Sequence, residues 1–132
     1  MDQVVVYCDG GSRGNPGPSA LGVVIKTTKG DAIAEISEFL GIQTNNYAEY
    51  MAVVRAMEYL KDNNIKSAQF YLDSQLVVRQ LNGEYKIKSD NIKRLNQKVN
   101  ELRAYVDVSF EHVYRENNKE ADAEVNKALD NL

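Results

Sequence analysis

Four carboxylates stand where a carboxylate is structurally awkward: Asp9 in CDGGSRGNPGP, Glu49 in TNNYAEY, Asp73 in YLDSQLVV and Asp122 in RENNKEAD. Asp9 and Asp73 each follow an apolar, strand-like run, VVVYC and AQFYL, while Glu49 and Asp122 lie just inside helical stretches introduced by Asn-rich turns. Acids at strand ends and helix starts can meet at one edge of a sheet. Two carboxylates about 5 Å apart repel by roughly 3 kcal/mol at an effective dielectric near 20, so their convergence demands neutralisation. Hard divalent cations supply it. Mg²⁺ keeps waters, takes one or two carboxylates and binds substrate phosphate. Two such ions roughly 4 Å apart can activate a water on one side of a phosphorus and stabilise the leaving oxygen on the other. Phosphodiester hydrolysis is the chemistry this pattern points to. Taken singly, each acid also reads as an N-cap, a turn residue or a surface charge, and Gly10, Gly11, Gly14 and Gly17 as turn glycines.

The elements that must position these acids follow from periodicity. Residues 3–8 are valine-rich and predict a first strand, which the Gly/Pro-rich stretch 10–18 ends with a tight connection. LGVVIKTT and AIAEISEFL flank Lys29, Gly30 and Asp31 and predict a hairpin, so the first three strands form an antiparallel meander. From Asn45 to Lys61, apolar residues recur at helical spacing, with Thr44 and Asn45 as capping candidates and Glu49 nearly opposite the polar stripe of Arg55, Glu58 and Asp62. AQFYL at 68–72 predicts a fourth strand. Asp73 and Ser74 open a short helix closed by Gly83. Ile92, Leu95, Val99 and Leu102 mark a further helix, VDVSFEHVY a fifth strand, and residues 119–129 a last helix. Strands four and five, separated by helices, are expected to be parallel through a right-handed crossover. In such sheets ligands bind outside the carboxyl ends of parallel strands, where Asp9 and Asp73 fall.

Composition bounds the rest. A 132-residue chain with 43% hydrophobic residues suits one globular domain, residues 1–132, able to bury a core unaided. With no long apolar run and no leader-like start, the expectation is a cytoplasmic protein without membrane contact. The single cysteine, Cys8, forms no internal disulfide and reads as a small core residue. A net charge of −3 argues against gripping nucleic acid by charge alone. That objection weakens if cations fill an acidic site and invert the local field. No obligate protein partner is evident, and the expected state is a monomer.

The motifs DGGSRGNPGP at 9–18, TNNYAE at 44–49, DSQ at 73–75, and REN, N and AD spread over 115–122 occur in the order found in type 1 ribonucleases H. The chain resembles that family nearly end to end. The resemblance implies an α/β, ribonuclease H-like fold: a five-stranded mixed sheet with strands 1, 4 and 5 parallel and helices on both faces. It implies endonucleolytic cleavage of the RNA strand of an RNA/DNA hybrid, leaving a 5′-phosphate and a 3′-hydroxyl. Two Mg²⁺ ions, or Mn²⁺ in their place, would then be held by Asp9, Glu49, Asp73 and Asp122. By similarity, Asn15, Asn45, Asn46, Gln75 and Asn118 contact the hybrid together with the amides of Gly10, Gly11 and Ser12, while Thr44 helps to hold a DNA phosphate. The RNA strand alone offers a 2′-hydroxyl, donor and acceptor at once, and short polar groups suit its recognition.

The chain also departs from relatives it resembles. Many carry a mobile histidine in the loop before the last acid, whereas Arg115 to Ala121 is short and has none. The resemblance to members with such loops implies that Arg115 assists leaving-group or product handling. Some grip substrate with a basic, Trp-rich protrusion. This chain has no tryptophan and only a compact link from Gly83 to Asp90, so the expectation is either a modest hybrid affinity or a grip resting on Lys86, Lys88, Lys93 and Arg94, each of which also reads as a solvated charge. Glu124 reads as a surface charge off the Asp122 face. His112, the only histidine, reads as a packed, hydrogen-bonded strand residue rather than a catalytic one. Two rivals remain: a catalytically silent hybrid-binding module, and a phosphatase using Asp9 as nucleophile, for which no dedicated general acid is visible.

Overall fold

The computed structural model describes residues 3–132. Strand β1 (Val4–Ser12) is followed by β2 (Gly17–Thr27) and β3 (Ala32–Gln43), then helix α1 (Asn45–Asp62), strand β4 (Ser67–Leu72), helices α2 (Gln75–Leu81) and α3 (Asp90–Leu102), strand β5 (Asp107–His112), a 3₁₀ turn (Arg115–Asn117) and helix α4 (Lys119–Asp130). The strands form one sheet in the order β3-β2-β1-β4-β5. The β1–β2 and β2–β3 pairs are antiparallel, and β1, β4 and β5 run parallel. Among the described residues no helix is long and apolar enough to cross a membrane.

The glycine-rich stretch differs from its expected role. Instead of ending the strand, Gly10, Gly11 and Ser12 continue β1 and pair with Leu21, Ala20 and Ser19, leaving only Arg13–Pro16 as the connection. Turn propensity is a local preference, and the backbone ladder to β2 overrides it. Gly14 supplies the left-handed residue of that connection at φ 92°.

Side chains alternate across the pleat. Val4, Val6 and Cys8 are fully buried on one face of β1, in a cluster with Leu21, Val23 and Ile25 of β2 and with Tyr50, Val53 and Met57 of α1. Helix α4 covers the other face with Val125 and Leu129, packed on Ala20. Two glycines fix how closely these helices approach. A Cβ on Gly10 would fall 2.2 Å from the Ala48 carbonyl carbon of α1, and one on Gly22 would fall 2.2 Å from the Ala121 carbonyl oxygen of α4. The neighbours in both cases are backbone, which has little freedom to yield.

Gly10→Ala and Gly22→Ala are each expected to cost about 3 kcal/mol, the upper range for forcing a methyl into a packed interior. Urea unfolding would show it as a lower midpoint at unchanged m-value; a midpoint within error of the parent for both variants would contradict these contacts.

Candidate active site

Cys8 of β1 pairs with Leu72 of β4 in parallel register, so the next residue on each strand, Asp9 and Asp73, emerges side by side. Glu49 comes from the second turn of α1, held against β1 by the backbone contact at Gly10. One oxygen from each of Asp9, Glu49 and Asp73 lies within 4.8 Å of the others. The Gly10 N–H donates to Asp9 Oδ1 at 2.9 Å and to Glu49 Oε1 at 3.2 Å, drawing the two carboxylates together. Asp122, in the first turn of α4, lines the same cleft of about 530 Å³ but stands outside the three-acid cluster. Its Oδ2 accepts from Asn126 Nδ2 at 3.3 Å. Sequence reasoning expected four acids in one pocket. The structure lines one cleft with all four, Asp9, Glu49 and Asp73 forming the tightest group and Asp122 approaching Asp9 from a different helix on the opposite sheet face.

Burial and charge act together here. Asp9 is 7% exposed and Glu49 5%. Burial first, then the neighbouring Asp73 and Asp122 carboxylates, push the Asp9 carboxyl from its ordinary 3.8 up to about 7, against a lowering hydrogen bond with Glu49. Glu49 is raised well above its ordinary value by burial, then by Asp9 and Asp73, with the Gly10 amide opposing. Glu49 Oε2 is buried without a partner. Clustered hard oxygens, one of them orphaned, in carboxyls whose ionisation is resisted by burial and by one another, fit a hard divalent metal.

The remaining expected residues divide. The cleft is lined by Gly10, Gly11, Ser12, Asn45, Asn46 and Arg115. The Ser12 amide donates to Asn45 Oδ1 at 2.9 Å, and the Asn45 amide to Asn15 Oδ1 at 3.0 Å. These asparagines therefore brace the β1–β2 connection against the start of α1. Thr44 is the N-cap of α1 and accepts from the Tyr47 amide at 3.2 Å. Gln75 is exposed at the start of α2 and stands outside the cleft lining, where Ser74 lies instead. Asn118, expected as a substrate contact, is 1% exposed and turned inward.

Two further expectations are corrected. Glu124 is not a surface charge: it is 7% exposed, because Gly22 lets α4 sink until the Glu124 Cβ lies 2.9 Å from the position a Gly22 Cβ would take. His112 packs edge-on against Tyr114 at 5.5 Å, and among the described residues its ring makes no recorded hydrogen bond. Arg13, which the sequence leaves open as a phosphate contact or a solvated charge, lines the cleft, and so does Asn126, which sequence reasoning did not assign there. The helical spacing of Asn126, four residues after Asp122, was the available signal.

A family profile described as Reverse transcriptase-like matches residues 7–128. That match defines the class. Ribonuclease HI of Halobacterium salinarum is 40% identical over 129 residues, 97% of this chain and 65% of that protein. The bifunctional protein Rv2228c of Mycobacterium tuberculosis is 35% identical over 130 residues, 97% of this chain and 36% of that protein. The chain thus spans less than two thirds of either curated relative. The crystal structure of RNase H1 from Halobacterium salinarum NRC-1 superposes with a TM-score of 0.94 at 40% identity, covering 98% of this chain and 99% of that one. LC11-RNase H1, solved in complex with an RNA/DNA hybrid, gives 0.93 at 39% identity and 97% coverage of both chains. Within the class, the chain belongs to the type 1 ribonuclease H family.

A carboxyl whose folded-state value is raised holds its proton when the unfolded chain has already lost it. Stability therefore falls as pH rises from about 4 to about 7, and the full penalty is present above that window. At 1.36 kcal/mol per unit this amounts to about 4 kcal/mol. In EDTA at pH 8, Asp9→Asn should melt higher than the parent, with the difference shrinking toward pH 4. A melting-temperature difference that does not change with pH would refute the assignment.

Proposed function

We propose that this chain hydrolyses the RNA strand of RNA/DNA hybrids with the help of two Mg²⁺ ions, Mn²⁺ being an acceptable substitute, and leaves 5′-phosphate and 3′-hydroxyl ends. The observation that carries this reading is the Asp9, Glu49 and Asp73 cluster in an open cleft that Asp122 also lines. Cations bound there would balance the acids, activate a water and stabilise the leaving oxygen. Asp9, Glu49, Asp73 and Asp122 would hold the ions between them. The chain's own polar groups do the rest. The braced Ser12, Asn15 and Asn45 hold the cleft rim rigid, and Asn46, exposed at the start of α1, is free to meet the hybrid together with Gln75 and the Gly10 and Gly11 backbone. Thr44 sits at the N-terminus of α1, where a phosphate is favoured. Arg115 stands in the cleft lining with its side chain exposed, suited to leaving-group or product handling. The proposal includes a monomer, residues 1–132 forming one domain, working in the cytoplasm.

Grip on the hybrid extends past the acids. Asn46 lines both the cleft and a neighbouring groove of about 320 Å³ that also contains Leu76, Lys86, Ile87 and Lys88. A cationic, partly apolar groove continuous with the acidic cleft lets one nucleic acid touch both. Lys93 and Arg94 lie exposed on the adjoining α3.

Hybrid cleavage should require Mg²⁺ or Mn²⁺ and vanish in EDTA, while single-stranded RNA and duplex DNA stay intact. Asp9→Asn should abolish turnover, and Arg115→Ala should slow it about 100-fold, the low end for losing one charge-stabilising donor. Undiminished turnover in Arg115→Ala would remove that residue from the mechanism. For the groove, replacing Lys86 and Lys88 with alanine should flatten the slope of log affinity against log salt by about 2, near one per phosphate contact. An unchanged slope would take both lysines out of the interface.

A further inference from the structure

Asn118 is the N-cap of α4, yet its side chain makes no capping hydrogen bond. It reaches away from its own helix. Its Nδ2 donates to the Cys8 carbonyl at 2.9 Å and to Asp73 Oδ2 at 3.1 Å. Both partners are acceptors, so the amide orientation is forced: turned over, its oxygen would face two oxygens. Asn118 Oδ1 is left buried with no partner. A buried polar atom left unsatisfied costs free energy, and such atoms concentrate where function fixes the geometry.

The three attachments of this residue reach three of the four acids. Cys8 directly precedes Asp9, so the bond to its carbonyl fixes the β1 backbone at the point where Asp9 leaves it. Asp73 is held directly, through one oxygen, which leaves Oδ1 free to face the cleft. Asp122 donates its backbone N–H to the Asn118 carbonyl at 3.1 Å, so the same residue starts the helical turn that carries the fourth acid. We propose that Asn118 is a positioning residue that ties Asp73 to the β1 strand end and so sets the geometry in which the acids hold a divalent cation. This rests on the reading of the acids as a metal site. It replaces the substrate contact expected from sequence, which a residue 1% exposed is poorly placed to make.

Outer groups that orient metal ligands are typically worth 10-fold to 100-fold in metal affinity or activity. Asn118→Ser and Asn118→Gly both remove the two-pronged donor, while serine remains a good N-cap and glycine is nearly as good, so α4 keeps its start. Mn²⁺ binding measured by calorimetry and by electron paramagnetic resonance should weaken about 10-fold to 100-fold in each. The cleavage kcat should fall with it, and the hybrid KM should not change. If either folded variant binds Mn²⁺ as tightly as the parent, the proposal is overturned. A raised KM with unchanged Mn²⁺ affinity would overturn it too, returning Asn118 to the substrate. Asp73→Asn, measured alongside, separates the two levels of inference. If it binds Mn²⁺ like the parent, the metal-site reading itself fails and this proposal falls with it; if it alone is impaired, only the role of Asn118 is lost.

Discussion

Helix backbone pressed against strand backbone at two glycines is the constraint on which the site depends. Gly10 admits α1 on one face of the sheet, and Gly22 admits α4 on the other. Asp9 is adjacent to the first in sequence and paired with the second across the β1–β2 ladder. One strand position therefore receives Glu49 from one side and the Asp122 helix from the other. Neither helix could come this close over a residue with a side chain, and a carboxylate has only a short reach with which to make up lost distance. The acids meet because the backbone is bare where they must meet.

What the glycines bring together, electrostatics resists. Burial and mutual repulsion raise the Asp9 carboxyl to about 7 and push Glu49 well above its ordinary value. The Gly10 amide, which donates to both, is the chain's own partial counterweight. Packing energy from the α1 core is thus spent on a site that gains its full favourable charge state only when cations arrive. Stability and function pull in opposite directions at Asp9, as expected where a fold carries pre-organised ligands.

Much of this was legible in the chain. Strand and helix order followed from apolar periodicity, and the acids announced themselves by standing at the ends of apolar runs where local packing does not want charge. What escaped was set by contacts distant in sequence. Gly10 to Ser12 read locally as a turn, and only the pairing with β2 makes them strand. Glu124 read as a surface residue because nothing near it reveals the bare Gly22 beneath. Asn118 was recognisable as a helix start, but its amide serves residues 110 and 45 positions away in sequence, separations no local pattern encodes.

The charge balance of the chain fits the same logic. A net charge of −3 would repel a polyanion if spread evenly, yet the acids that matter are gathered in one cleft and the lysines of the link between α2 and α3 in a groove beside it. On the proposed reading, cations in the cleft would neutralise it, and the surface offered to a hybrid would run from cations to lysines through Asn46, a neutral residue shared by both. Overall charge is then a poor guide to what the chain binds, since screening over about 8–10 Å makes the local field decide. A compact chain can forgo a dedicated basic appendage to the extent that its metals supply positive charge at the point of cleavage. Its hold on nucleic acid should accordingly be more dependent on divalent cations than that of a relative whose grip comes from arginine and lysine alone.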